Sequence, residues 1–417
     1  MSTTYPIPQA LFDTFENLTS NTATIDAHLS TLCIDAAEDE FKLCLEFLKS
    51  YGNSSDTFTA YRREIERFLH WAWLVSKRPL KEISRDEIRD YLQFVNNPPK
   101  SWIATSNVDR YVNDSSGLRK PNPNWRPFVV RISKISRRNG KQPDKSNYQL
   151  GNKSIEAIFA ALSSLFTFLQ QENYLEINPV SLVRQKKGYT QRQQVRKVTR
   201  KLSRLQWIHV ISAAEEMAKE SRLHERTYFL MSAFYLLGVR ISELAYAPGR
   251  MATMGNFAPD KSGLWWFRTI GKGNKVRDIA VPDELLNTLK RYRVSLDMPP
   301  LPSREEPTPL LSKLKGKEGL GSRQIRNVVQ SVFDRAINEL LRHGKKDEAE
   351  DLATATVHWL RHTAISSDIE SRSREHIRDE VGHAISGTMG KYIDIDRAAQ
   401  HQSAQHKMLK PDFDKKD

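Results

Sequence analysis

The sequence predicts a mainly α-helical protein with one small antiparallel β-sheet, on three observations. Apolar residues recur at i, i+3, i+4 and i+7 through both halves, most clearly at Ile155, Ile158, Phe159, Leu162, Leu165, Phe166 and Leu169, the pattern of an amphipathic helix. Strand-like runs are few and short, chiefly LWWFRTI and VRDIAVP in the second half. Those two runs flank GKGNK, which has the chemistry of a hairpin turn.

Residues 1–37 are polar and weakly periodic, and read as an N-terminal arm or a loose helix. AEDEFKLCLEFLKSYG is a helix with Gly52 as its expected C-cap. DTFTAYRREIERFLHWAWLVSKRP places Phe58, Tyr61, Ile65, Phe68 and Leu69 on one face and stops at Pro79. Ser84 with Glu87 makes a capping box for EIRDYLQFV, and NPP breaks that helix at 97–99. Residues 99–150 are rich in Pro, Asn, Gly and basic side chains, with a hint of strand at WRPFVVRI, and read as an insertion or extended loop. The helix over 153–171 follows, and Pro179 closes that region. These elements make a helical domain over 38–183, and residues 184–204 form a basic linker. In the second domain, 205–400, LSRLQWIHVISAAEEM and HERTYFLMSAFYLLG are two helices, the second apolar nearly all round and therefore buried. The hairpin comes next, then a surface loop from Leu301 to Lys317, a helix at SRQIRNVVQSVFDRAINELL and another around 356–370. Residues 401–417 form a tail. No internal repeat or long low-complexity tract is present.

A chain of 417 residues is long enough for two or three domains. No stretch approaches the roughly 18 consecutive apolar residues of a membrane span. The N-terminus lacks a basic segment followed by an apolar run, so no secretion signal is expected. Of the two cysteines, Cys44 sits in the apolar run FKLCLEFL and reads as core, and the pair suits a reducing cytoplasm better than a disulfide framework. The net charge of +14 favours a polyanionic partner. It is concentrated: Arg184 to Arg204 holds nine Lys/Arg and no acid, and Arg119 to Lys145 holds nine against Asp144 alone. Neither run carries the large apolar residues of a membrane-lying helix. Both suit contacts along a DNA backbone, and a solvated loop remains the plainer reading. The candidate DNA contacts are Arg184, Lys186, Lys187, Arg192, Arg196, Lys197, Arg200 and Lys201 in the linker, with Arg119, Lys120, Arg137 and Arg138 in the insertion.

The chemistry centres on VHWLRHT, residues 357–363. On a helix His358 shares a face with both His362 and Arg361. A zinc protease needs a glutamate directly after the first histidine, and Trp359 stands there, so no metal is expected. His358 with Arg361 fits a phosphate: arginine supplies a two-pronged fork and histidine donates or takes a proton. Upstream, Arg240 follows the buried helix in LLGVRISEL and needs an anion, either a ligand or, more simply, Glu243. Lys272 sits at the tip of the hairpin in IGKGNKVRD, where glycines on both sides would let the turn swing. GKGNK lacks the spacing of a P-loop. Downstream, VGHAISGTMGKYI brings His383 and Tyr392, the sole phenol after Tyr292.

Taken in order, G-x-R-x-S-E-L, G-K-G-N-K, H-x-L-R-H-T and G-H separated by eight residues from Y resemble the tyrosine recombinase or phage integrase family, over roughly residues 38–400. The second half carries the specific match and the first half matches loosely. The resemblance implies a helical core-binding domain and a mixed α/β catalytic domain that clamp duplex DNA in a C shape. It implies Tyr392 as nucleophile forming a 3′-phosphotyrosyl link, and Arg240 and Arg361 neutralising the transition state. His358 would take the phenolic proton or hold the phosphate, His383 would bond a phosphate oxygen, and Lys272 would protonate the leaving 5′-oxygen. Lys275 is the alternative to Lys272, and His362 is left as a neighbour of the site. No cofactor, ATP or metal is implied. The expected partners are double-stranded DNA with specific core sites, a homotetramer on synapsis from a monomer or weak dimer, tails docked between protomers, and a DNA-bending or directionality factor. A cytoplasmic, nucleoid-associated enzyme of a mobile element fits the size and the insertion. The alternatives are a type IB topoisomerase-like enzyme and a DNA-binding regulator without catalysis.

Overall fold

A computed structural model describes residues 5–20, 22–52, 54–138, 140–183, 200–247, 249–271, 275–313, 316, 318–373, 376–377, 380, 397–405 and 408–410. The chain divides into two compact units, Met1–Arg196 and Lys197–Asp417. Among the described residues no helix is long and apolar enough to cross a membrane.

The first unit holds α1 (Thr22–Leu29), α2 (Ala37–Lys49), α3 (Ser55–Trp71), α4 (Arg85–Asn96), β1 (Ile103–Ala104), β2 (Tyr111–Asn113), β3 (Arg119–Pro121), β4 (Phe128–Val129), α5 (Lys134–Arg138) and α6 (Asn152–Gln171). The apolar faces of α2, α3, α4 and α6 converge as their periodicity requires: Cys44, Leu48, Ile65, Phe68, Leu69, Tyr91, Leu162, Leu165 and Phe166 are buried in one core. The Ser84–Glu87 capping box is present at the start of α4. Gly52 is not a left-handed cap; α2 ends at Ser50. A Cβ on Gly52 would lie 2.3 Å from the Phe15 ring, so glycine is needed there for close packing.

The segment expected as an arm contributes Leu11, Phe12, Leu18, Ile25, Leu29 and Ile34 to this core. Polar chemistry fixes it. The buried Glu66 carboxylate on α3 accepts from Leu11 N at 2.7 Å and Phe12 N at 3.3 Å, and pairs with Arg110. Arg119 donates to Asp13 at 2.8 Å and Arg62 to the Asp13 carbonyl. The insertion is structured as well. β1 and β4 pair in parallel through Ile103↔Phe128, β2 and β3 form an antiparallel hairpin, and Trp102 and Phe128 are fully buried.

His70, at the end of α3, is buried between Trp102 and Trp125, with ring centroids 6.3 and 6.1 Å away. Burial first, then the nearby His28, push its pKa down to about 3. The unfolded chain therefore binds more protons than the fold between about pH 3 and 6.5. The stabilisation is complete above 6.5 and is lost as pH falls, by about 2 kcal/mol at pH 5. The first unit should melt earlier at pH 5 than at 7.5, and His70→Gln should flatten that dependence. An unchanged slope in thermal unfolding of the variant would count against this.

The second unit holds α7 (Arg204–Glu220), α8 (Glu225–Leu237), α9 (Ile241–Leu244), β5 (Phe257–Pro259), β6 (Trp265–Ile270), β7 (Val276–Ala280), α10 (Asp283–Ser295), α11 (Ser322–Arg342), α12 (Lys346–Thr354), α13 (Val357–Ser371) and α14 (Arg397–Gln405). Ser203 and Gln206 make a capping box for α7. Every residue of α8 from Thr227 to Leu237 is buried, because α7, α10, α11 and α13 pack around it. Full burial of each large apolar side chain, such as Phe229 or Leu236, contributes about 1.5–3 kcal/mol. The strands form one antiparallel sheet in the order β5-β6-β7, with Ile270↔Val276 as the last pair before the hairpin loop. The described residues of the expected tail, 401–405 and 408–410, pack on their own unit. Ala404 lies against Trp266 and Ala280, and the Leu409 carbonyl accepts from Trp207 Nε1 at 2.9 Å.

Candidate active site

The site is built from the C-terminal end of α8. Gly238 ends that helix in the left-handed conformation, φ 58°, and a Cβ there would stand 3.6 Å from Ala364 on α13. The turn delivers Arg240 to the N-cap of α9, where its backbone N–H donates to Glu243 Oε2 at 2.8 Å and its Nη1 to Oε1 at 3.1 Å. The Glu243 side chain is 1% exposed. Arg277 on β7, 9% exposed, donates from Nη2 to Glu243 Oε2 at 2.8 Å. Arg361 on α13 is buried and donates to the Gly238 carbonyl. Its pKa is pushed down to about 10, first by burial, then by Arg240 and, more weakly, Arg277, with Glu243 opposing. Two guanidinium groups, those of Arg240 and Arg277, thus share one buried carboxylate, with Arg361 close enough for its charge to act on theirs. A cluster of this kind suits an anionic ligand.

His358 and His362 meet edge to face on α13 at 4.6 Å between ring centroids. His358 is held below the ordinary imidazole value by burial, then Arg361, Arg240 and Arg200. His362 is lowered by burial, then His358, Arg361 and Arg200. Both rings are therefore neutral at pH 7 and able to accept a proton. Among the described residues no group of three or more His, Cys, Asp or Glu gathers as metal ligands would.

The described end of the linker reaches the same helix. The Leu202 N–H donates to Thr363 Oγ1 at 2.9 Å, Leu202 is buried in the core, and Arg200 and Lys201 are exposed just before it. In the first unit Arg119 is taken up by Asp13, a structural pairing, and Lys120 sits 2.7 Å from Asp114. Arg137 and Arg138 are exposed at the end of α5.

The structure thus brings Arg240 together with His358 and Arg361, which lie more than a hundred positions further along the sequence. Lys272, His383 and Tyr392 fall outside the described residues, as do Arg184, Lys186, Lys187, Arg192, Arg196 and Lys197. Lys275 is exposed at the foot of the hairpin, where its carbonyl accepts from Gly271 N at 2.8 Å. The sequence reading missed Arg277 and gave Glu243 only as a partner for Arg240. Gly271 was read as a swivel. A Cβ on it would stand 2.7 Å from Arg277 Nη1, so its lack of a side chain makes room for that guanidinium.

No family model matches the chain. A curated relative, the tyrosine recombinase XerC of Thermodesulfovibrio yellowstonii, is 26% identical over 242 residues, covering 57% of this chain and 69% of the relative. Among solved structures, XerH site-specific recombinase bound to palindromic difH substrate in a post-cleavage complex aligns with a TM-score of 0.50 at 14% identity, covering 92% of this chain and 93% of that one. The XerH pre-cleavage complex with difH gives the same score and identity over 97% and 99%. At that identity the likeness is one of fold.

Proposed function

We infer that this chain, a tyrosine recombinase by its fold and by its likeness to the XerC relative, cuts and rejoins DNA strands at specific sites through a 3′-phosphotyrosyl intermediate. The carrying observation is the convergence of Arg240 on α9 and Arg361 on α13 beside the neutral His358, with positive charge in excess of the one carboxylate present.

The chemistry follows from what a phosphodiester requires. The Tyr392 phenol attacks phosphorus and the P–O5′ bond breaks. The phosphorane gathers charge on two non-bridging oxygens, and the guanidinium forks of Arg240 and Arg361 are suited to neutralise it. His358 accepts the phenolic proton, His383 holds a phosphate oxygen, and Lys272 supplies the proton that the departing 5′-oxygen takes. The phosphotyrosyl bond conserves the energy of the cut linkage, so a 5′-hydroxyl from a partner strand reverses the step without ATP. Arg200 and Lys201, which precede Leu202 at its bond to α13, bind flanking phosphates in this reading, together with the other basic residues of the linker. The assembly is a homotetramer on two DNA sites, and a cytoplasmic, nucleoid-associated enzyme of a mobile element is the setting.

The test is covalent capture. Full-length protein incubated with nicked duplexes made from the DNA flanking its own gene should give a denaturant-resistant adduct that protease removes. Affinity should fall steeply between 50 and 200 mM salt, by about 10³-fold or more if six phosphates are contacted. Relaxation of any supercoiled plasmid, with no site preference, would favour the topoisomerase reading. Tight binding with no adduct on any flanking sequence would favour the regulator.

A further inference from the structure

We propose that Arg277 is the counter-charge of Glu243: it occupies that carboxylate so that the guanidinium of Arg240 is left to the scissile phosphate. The proposal rests on the recombinase reading and deepens it.

Glu243 is needed locally, because its carboxylate caps α9 by accepting the Arg240 backbone N–H at 2.8 Å. That places a full negative charge 3.1 Å from the Arg240 fork. With Arg240 as its only cation the carboxylate would compete with a phosphate for the same fork. Arg277 weakens the competition: its Nη2 lies 2.8 Å from Glu243 Oε2, closer than Arg240 Nη1 stands to Oε1, in a setting where Arg277 is 9% and Glu243 1% exposed. Arg240 is the more exposed of the two arginines, at 30%, so its guanidinium is the one that faces outward.

Two further features show that the arrangement is built. Arg277 pairs with Thr269 across the hairpin, on the strand that leads to Gly271. The Gly271 backbone closes over the pair, with an added Cβ 2.7 Å from Arg277 Nη1 and 3.8 Å from Glu243 Oε1. A side chain at position 271 would displace Arg277 from Glu243. Arg277 is a positioning residue in this account, since it acts through Glu243 and Arg240.

The experiment compares single-turnover adduct formation by wild type, Arg277→Gln, Glu243→Gln and the double variant on a cognate nicked duplex. Arg277→Gln should slow cleavage about 10²-fold, the loss typical of one stabilising charge. The double variant removes the competing carboxylate together with its counter-charge, and the amide that replaces the carboxylate still offers an oxygen to the Arg240 N–H. It should therefore be faster than Arg277→Gln, returning to within about tenfold of wild type. A scissile methylphosphonate, which carries one charge fewer, should shrink the Arg277→Gln defect to about threefold or less. A merely structural role for Arg277 predicts the reverse: the double variant equals or falls below the single one, and the methylphosphonate gives no relief. Either result overturns the proposal, and duplex affinity measured on the same preparations reports whether each variant is folded. A wild type that forms no adduct sinks the recombinase reading and this proposal with it. A wild-type adduct with an unrescued double variant sinks this proposal alone.

Discussion

Tyr392→Phe is expected to abolish the covalent protein–DNA adduct on every substrate and to leave duplex affinity within about twofold of wild type, since phosphate contacts by lysine and arginine set that affinity. In the proposed reaction the phenolic oxygen forms the new bond to phosphorus, and no other tyrosine follows Tyr292. The variant removes one oxygen and keeps the ring. Denaturing gels read the adduct and native gels read binding on the same samples. A residual adduct would move the nucleophile elsewhere and remove the basis for the reaction assigned here.

Arg361→Ala is expected to slow cleavage by about 10²–10³-fold, the usual loss when one preorganised donor to a developing oxyanion is removed. Its effect on stability has two opposed parts. The buried Gly238 carbonyl loses a donor, which costs about 1–3 kcal/mol where a buried acceptor is left unmade. Against that, Arg361 is charged beside Arg240 and Arg277, and its lowered pKa records the burial and repulsion that its removal relieves. The melting temperature should therefore change little while activity collapses. Arg361→Lys should recover little of the rate, because an ammonium cannot make the two-pronged contact. A variant that lost stability and activity in parallel would make Arg361 a structural residue.

Much of this was legible in the sequence for local reasons. The hairpin at 264–281 followed from strand-like runs around a glycine turn, the helix over 152–171 from its repeat, and the Ser84 cap from a four-residue pattern. Arg240, His358 and Arg361 stand out in the sequence because their flanking residues, and not their own types, resemble motifs of the tyrosine recombinase family. What escaped depends on contacts distant in sequence. Leu11 and Phe12 sit in a polar stretch, and the Glu66 carboxylate that binds their N–H groups lies more than fifty residues away. Arg277 looked like an ordinary charge beside a turn, since nothing near it in sequence announces Glu243. Gly52 and Gly271 were given turn roles because glycine suggests freedom, whereas each makes room for a side chain from elsewhere, Phe15 and Arg277. The arm and the insertion had no periodicity to read, as their order comes from buried ion pairs.

The fastening of Leu202 to Thr363 has a mechanical consequence. Thr363 lies one residue past His362 and two past Arg361, so the chain just before α7 is anchored on the very turn of α13 that carries those two side chains. Removing the Thr363 hydroxyl would free the Leu202 N–H and slacken that turn in the same stroke.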